Sequence, residues 1–215
     1  MNLKKYRHLE KGEFIVTGAD TAAGGTNFCC AQFISKTKID VPWVYHTGKL
    51  ATEMTNDLHP TLEEIYDTTG IKPEIAYERN NGGLFEMERL ATLNRAGKYK
   101  LFLMPNSGRV EAAEAVKYGY DTNTATRPKM LSDLKEAIDK RVLTIYDKPT
   151  IEEMFAFVVV KTSSSWKAQA EENAHDDRIM ALAIAWQLYQ ICRPEIYQNS
   201  QIRKIYNELL NEEPA

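Results

Sequence analysis

Four acids in this 215-residue chain have the types and positions to do chemistry together: Asp20, Glu78 and the adjacent pair Asp176 and Asp177. Each stands where a regular element is expected to begin or end. Asp20 closes the apolar run EFIVTGAD, Glu78 closes PEIAYE, and the Asp pair opens HDDRIMALAIAWQLYQICR. Strand ends and helix starts on one edge of a sheet can converge at one point. Carboxylates gathered there repel one another unless cations neutralise them. Hard oxygen ligands suit Mg²⁺ or Mn²⁺. Two such ions about 3.5–4 Å apart can clamp a phosphodiester, one activating the attacking water and the other stabilising the leaving oxygen. Taken singly, each acid has a plainer reading. Asp20 reads as a turn former, Glu78 as a solvated loop acid, and the Asp pair as a helix cap at the positive end of the dipole. Together they are harder to dismiss. Asp20 ends an apolar strand with no polar buffer, and Gly24 and Gly25 leave room for a phosphate backbone, as Gly82 and Gly83 do after Glu78.

The elements that must position these acids follow from hydrophobic periodicity and breakers. Residues 13–20, 27–35 (NFCCAQFIS) and 42–49 (PWVYHTGK) read as three strands with short connections, hence an antiparallel meander. A helix is expected over 55–69, closed by Gly70, then a fourth strand over 73–78. After the turn Asn80-Asn81-Gly82-Gly83, residues 84–97 read as an amphipathic helix stopped at Gly97, and 99–105 (YKLFLMP) as a fifth strand. Residues 106–128 are irregular. Beyond them come a helix over 128–141, a short strand over 142–147, a helix over 150–157 and a hairpin over 157–171 with SSS near its tip. The last helix starts at 175 and is stopped by Pro194; Ile179, Leu182 and Trp186 are its core residues. Residues 1–12 read as an N-terminal extension and 193–215 as a polar tail. The fold class is therefore α/β: a mixed central sheet flanked by helices, with an added β-hairpin.

Composition excludes other classes. Hydrophobic residues make up 43% and charged residues 27%, ordinary globular values. No apolar run approaches the roughly 20 residues that span a bilayer, and the start MNLKKYRHLEKGEF lacks a signal-like apolar region. Cys29, Cys30 and Cys192 have no zinc-like spacing and suit a reducing cytoplasm. Cys29 and Cys30 should point to opposite faces of their strand. The net charge of −3 argues against a classical basic nucleic-acid binder. Any contact with DNA must rest on metal ions and a local basic face. Candidates for that face are Arg79, Arg127, Lys129, Lys161 and Lys167. The last two flank the SSS tip and read equally as solvated edge-strand lysines.

With these residues on the page, the chain resembles the C-terminal nuclease domain of the large terminase subunit of tailed phages, which has a ribonuclease H-like fold. The resemblance spans roughly residues 13–190. VTGADTAAGG is similar to that family's first motif, AYERNNGG to its second and NAHDDRIMALAIA to its third. It implies that Asp20, Glu78 and Asp177 bind metal, with Asp176 as second ligand or a supporting acceptor and His175 as a water or phosphate contact. Softer matches put Lys129 near DNA and Glu153 at an acidic position before the hairpin, with the hairpin beside the active site. The implied activity is endonucleolytic cleavage of double-stranded, concatemeric DNA by two Mg²⁺ or Mn²⁺ ions. The implied partners are the portal, the small terminase subunit and an ATPase domain, at the procapsid in the host cytoplasm.

One departure stands out. The chain has no G-x-x-x-x-G-K-[ST] match, so the packaging motor is not expected in it. The chain reads as a domain separated from that motor, its Met1 added. Two other readings share the residues: another ribonuclease H-like nuclease, such as a junction resolvase or transposase core, and a DNA-clamp or assembly module that does not cut.

Overall fold

Ile15–Asp20 (β2), Cys29–Ser35 (β3) and Asp40–Thr47 (β4) are rich in β-branched, aromatic and small residues, and every residue in them except His46 is buried. Strands covered on both faces carry such near-continuous apolar runs. The three pair antiparallel, with Asp20 opposite Cys30 and Cys30 opposite His46. Glu74–Tyr77 (β5) adds to β2 in parallel, and Lys100–Leu101 (β6) adds to β5 in parallel. The computed structural model describes residues 2–22, 28–104, 118–161, 166–170 and 175–195, with 157–161 and 166–170 described as backbone only.

The complete sheet has seven strands in the order β1-β4-β3-β2-β5-β6, with β7 also on β4. Here the structure departs from the sequence expectation. The stretch taken for an extension supplies Leu3–Lys5 (β1), which pairs antiparallel with residues 43–45. The strand expected over 142–147 shrinks to Thr144–Ile145 (β7), parallel to residues 40–41.

Helices cover both faces. Ala51–Thr69 (α1) and Gly83–Leu93 (α2) bury Met54, Leu58, Leu62, Ile65, Met87 and Leu90 on one side, against Ile15, Cys29 and Phe33. The helical spacing of the α1 set forms one apolar stripe, and Gly70, at φ 74°, ends the helix. Thr126–Asp139 (α3), Lys148–Phe155 (α4) and Asp177–Ile191 (α5) lie on the other side. There α3 and α5 pack with Val16, Cys30 and Ile34. Cys29 and Cys30 thus fall in opposite cores, as strand alternation requires. Ile179, Leu182 and Trp186 are buried. α2 stops at Leu93, short of Gly97, because the Asn94 side chain closes the loop: it donates to Tyr99 O (2.7 Å) and accepts from Lys98 N (3.0 Å). Phe157–Lys161 (β8) and Trp166–Ala170 (β9) form the expected hairpin, with Lys161 opposite Trp166. Among the described residues no helix is long and apolar enough to cross a membrane.

Arg7 ties the N-terminal stretch to the sheet. Its guanidinium donates to both carboxylate oxygens of Glu13 (2.9 and 2.8 Å) and both of Asp40 (2.6 and 2.7 Å), two buried acids. Burial pushes the Glu13 carboxyl up. Hydrogen bonds from Arg7, Ser35 and the Glu10 backbone outweigh it and hold Glu13 below the usual range. A depressed carboxyl contributes stability above its unfolded value, about 4.3, which is lost as pH falls through the folded value. Arg7→Met should therefore cost about 3–5 kcal/mol, since it leaves two buried acids uncompensated. It should also flatten the acid limb of the stability curve, as read by urea unfolding across pH.

Candidate metal centre

Asp20 and Asp177 owe their approach to Gly18. A Cβ on Gly18 would lie 2.2 Å from Ala185 N and 2.3 Å from Ala181 O, so α5 rests directly on the β2 backbone. Asp20 is two residues along β2 on the same face, about 6.6 Å away at strand rise. Asp177 is one turn before Ala181, about 6 Å along the helix. The matching steps bring the end of β2 and the start of α5 to the same place.

The end of β5 is held as tightly. Glu78 N donates to Ala19 O (2.8 Å), and Tyr120 continues the sheet beside it, with Tyr120 N on Tyr77 O (2.8 Å) and Arg79 N on Tyr120 O (2.9 Å). A Cβ on Gly83 would sit 1.8 Å from Glu78 O, and one on Gly119 2.7 Å from Tyr77 O. Gly83 is therefore required by the packing of α2 against the Glu78 carbonyl, not by room for an approaching phosphate as the sequence suggested. Gly82 fits the turn through its φ of 89°. Gly24 and Gly25 lie outside the described residues.

Asp20, Glu78, Asp176 and Asp177 all line one open cavity of about 520 Å³, together with Thr21, Asn80 and Arg127. Asp20, Glu78 and Asp177 are only 7%, 6% and 8% exposed, so their charges are poorly solvated. Burial raises the Asp20 carboxyl well above its usual value, and a hydrogen bond shared with Glu78 and the charges of Glu78, Asp177 and Asp176 add to it. Burial and Asp176 likewise raise Asp177, against the lowering effect of His175. Asp177 Oδ2 finds no hydrogen-bond partner among the described residues; His175 Nδ1 stands 3.7 Å from it. Asp176 instead accepts from Arg127 Nη2 (2.8 Å).

Among the described residues, no three His, Cys, Asp or Glu side chains are already set as an ion-holding group. The donors themselves suit a hard cation. They are carboxylates, buried together, with one pair bridged by a proton and one oxygen without a partner. A divalent ion would relieve each of these strains, so the residues present fit such an ion, with the side-chain adjustment that replacing a shared proton entails.

The remaining sequence candidates divide. Arg127 is in the cavity. Arg79 is not among its lining residues: its Nε donates to Tyr118 O (3.1 Å). Lys129 is also outside the lining, on α3, and pairs one turn on with Asp133 (2.5 Å). The side chains of Lys161 and Lys167 lie outside the described residues.

No protein-family model and no curated protein matches the sequence. Solved structures do. The large terminase nuclease domain of Thermus phage P74-26 superposes with a TM-score of 0.61 at 15% identity, over 88% of this chain and 87% of that one. The large terminase nuclease of thermophilic phage G20c with bound magnesium gives 0.61 at 15% identity, over 87% of each chain. A manganese-soaked terminase nuclease domain of human cytomegalovirus gives 0.55 at 11% identity, over 90% and 94%. The fold is that of the large terminase nuclease domains. This is the ribonuclease H-like sheet expected from the three motifs.

Within that terminase nuclease fold, three residues matter that sequence reasoning did not assign. Thr122 Oγ1 donates to Glu78 Oε1. Asn80, taken for a turn residue, donates through Nδ2 to Glu78 Oε1 (3.2 Å) and to Thr122 Oγ1 (2.8 Å). Thr122 sits in the irregular stretch 106–128, where no period marked it. Glu153, noted only by family resemblance, accepts at Oε1 from Arg178 N (2.8 Å) and Ile179 N (3.1 Å), first-turn amides of α5 that have no partner within the helix.

Proposed function

We propose that this chain is the metal-dependent endonuclease domain of a viral DNA-packaging terminase, cleaving double-stranded concatemeric DNA by two-metal phosphodiester hydrolysis. The observation that carries the reading is the convergence of Asp20, Glu78 and Asp177, all buried, on one cavity, where the other carboxylates disfavour the ionised form of Asp20. Magnesium- and manganese-bearing terminase nucleases of the same fold support it.

In this reading Asp20, Glu78 and Asp177 would hold two divalent ions, Mg²⁺ or Mn²⁺, Glu78 and Asp177 holding one each or sharing one, and Asp176 would assist. Such ions supply Lewis-acid polarisation of the phosphate and an acidified water. Thr122 and Asn80 donate to one oxygen of Glu78 and fix which lone pairs remain for a ligand. Arg127 puts a permanent positive charge in an otherwise acidic cavity, where a phosphate oxygen can take it. Lys129, Lys161, Lys167 and Arg79 remain proposed contacts to more distant phosphates. The portal, the small terminase subunit and a packaging ATPase are the partners this role calls for, in the host cytoplasm.

The test is incubation of the full chain with supercoiled plasmid, with and without Mn²⁺ and with excess chelator. Nicked and linear products should require the metal. Linear duplex should be cut as readily as four-way junctions; strong junction preference would point to a resolvase instead. Thermal scans add an independent readout. Asp20 and Asp177 have raised pKa values, so their favourable contribution is present below about 3.9, the ordinary aspartate value, and is lost as pH rises through the folded values. The contribution of these two groups to apo stability should therefore decline with rising pH, opposite in sign to that of Glu13, and Asp20→Asn should remove part of the decline. The gain in Tm from Mn²⁺ should grow over the same interval, and the stabilisation behind it is about 2.7 kcal/mol at a hundred times Kd. No shift at millimolar Mn²⁺ at any pH would remove the metal site from the argument.

A further inference from the structure

The start of α5 has an unusual division of labour. A helix start leaves its first amides without partners, and an Asp at the N-cap ordinarily accepts from the second and third of them. Asp176 occupies the N-cap of α5, yet its side chain makes no capping hydrogen bond. It lines the cavity and pairs with Arg127 instead. The two amides it would have served belong to Arg178 and Ile179, and both are taken by Glu153 Oε1 from α4, 25 and 26 residues away in sequence. The second oxygen, Glu153 Oε2, lies 3.3 Å from Arg178 Nη1, so the capping carboxylate is itself held in place. Asp147, which caps α4 through Thr150 N (2.9 Å), lies 3.7 Å from Arg178 Nε and steadies the same arginine.

We infer that Glu153 is a positioning residue for the carboxylate cluster: by capping α5 from outside, it releases Asp176 from its own helix start and leaves that carboxylate to the cavity. This rests on the metal-site reading above. Without Glu153, the residue placed to serve these two amides is Asp176 itself, once its backbone, at φ −126° and ψ 8°, turns to the extended conformation of a capping residue. The Asp176 side chain then leaves Arg127 and turns from the cavity, and Asp177, beside it, loses its neighbour. A carboxylate supporting ligands in this way typically changes metal affinity by about 10–100-fold.

The experiment is a double-mutant cycle on the full chain with Glu153→Ala, Asp176→Ala and their combination, plus Glu153→Gln, whose amide oxygen can still accept from both backbone amides. Mn²⁺ affinity is read by calorimetric titration and metal-free stability by Tm. Glu153→Ala should weaken Mn²⁺ binding about tenfold or more, while Glu153→Gln stays within about threefold of the parent. In the Asp176→Ala background, Glu153→Ala should add little further loss of affinity. Its cost in metal-free Tm should be larger there than in the parent, because Asp176 is no longer present to take over the cap. Equal Tm losses in both backgrounds, with Mn²⁺ affinity unchanged, would show that Glu153 only holds the fold and would overturn the inference. If the parent itself binds no Mn²⁺, the metal reading fails, while the Tm cycle still decides whether Asp176 competes for the cap. Should Glu153→Ala not fold, Glu153→Asp, one methylene shorter, replaces it in the same cycle.

Discussion

Asp20→Asn is expected to abolish metal-dependent cleavage and, at the same time, to raise the Tm of the metal-free protein. Both effects come from one cause. Asp20 is the most strongly destabilised acid of the cluster, buried and facing three other carboxylates. Asn keeps the shape, donates to Glu78 in place of the shared proton, and stays neutral where rising pH would ionise Asp20 beside the other carboxylates. Relief of this kind is worth about 0.5–2 kcal/mol, or roughly 2–4 °C per kcal/mol at this chain length. Activity should move the other way. Losing a carboxylate proposed to hold the metal should remove several kcal/mol of charge stabilisation, and about 4 kcal/mol is a thousandfold in rate. Plasmid nicking at fixed Mn²⁺ measures the first effect and a thermal scan without metal measures the second. Cleavage at the parental rate would sink the assignment of Asp20. A fall in Tm would mean that the cluster is not strained as its burial and charges require.

The second large effect is expected at Gly18, a residue that touches no part of the cavity. Any Cβ there meets Ala185 N and Ala181 O well inside contact distance, and neither belongs to a side chain that can turn away. Gly18→Ala must therefore push α5 off β2. Overpacking typically costs about 1–3 kcal/mol, and a clash with helix backbone belongs at the upper end or beyond. Since α5 carries Asp177, the shift should also lower Mn²⁺ affinity. Gly48→Ala, whose Cβ meets only the Phe28 ring at 3.5 Å, serves as a control of similar chemistry. Chemical denaturation of both variants would decide the matter, and equal stabilities would contradict the close approach of strand and helix.

Much of this was legible in the sequence. Asp20, Glu78 and Asp177 end or begin strongly patterned elements, and regular elements carry periodicity that can be read. The antiparallel meander, the Gly70 stop and the apolar last helix were legible for the same reason. What escaped depends on contacts between distant residues or on elements too short to have a period. β1 is LKK, three residues with no alternation of apolar and polar, and of the short strand expected over 142–147 the bounds escaped, since only two residues pair. Glu153 looks like any surface acid of an amphipathic helix until the fold sets it against Arg178 and Ile179. Gly83 was legible as a glycine but not as a packing requirement, since Glu78 O lies against it only once the turn is formed. The basic candidates fared unevenly because sequence position says little about where a long side chain finds its partner: Lys129 found Asp133, while Arg127 found Asp176 in the cavity.

The two short strands β1 and β7 also affect how the protein behaves in concentrated solution. β4 is eight residues long and would otherwise be the rim of the meander, a row of open amides and carbonyls inviting another chain to add itself. β1 occupies that row over residues 43–45 and β7 over 40–41, while the opposite rim is β6, only two residues long. A segment from the start of the chain and another from well inside it thus protect the longest strand from templating aggregation.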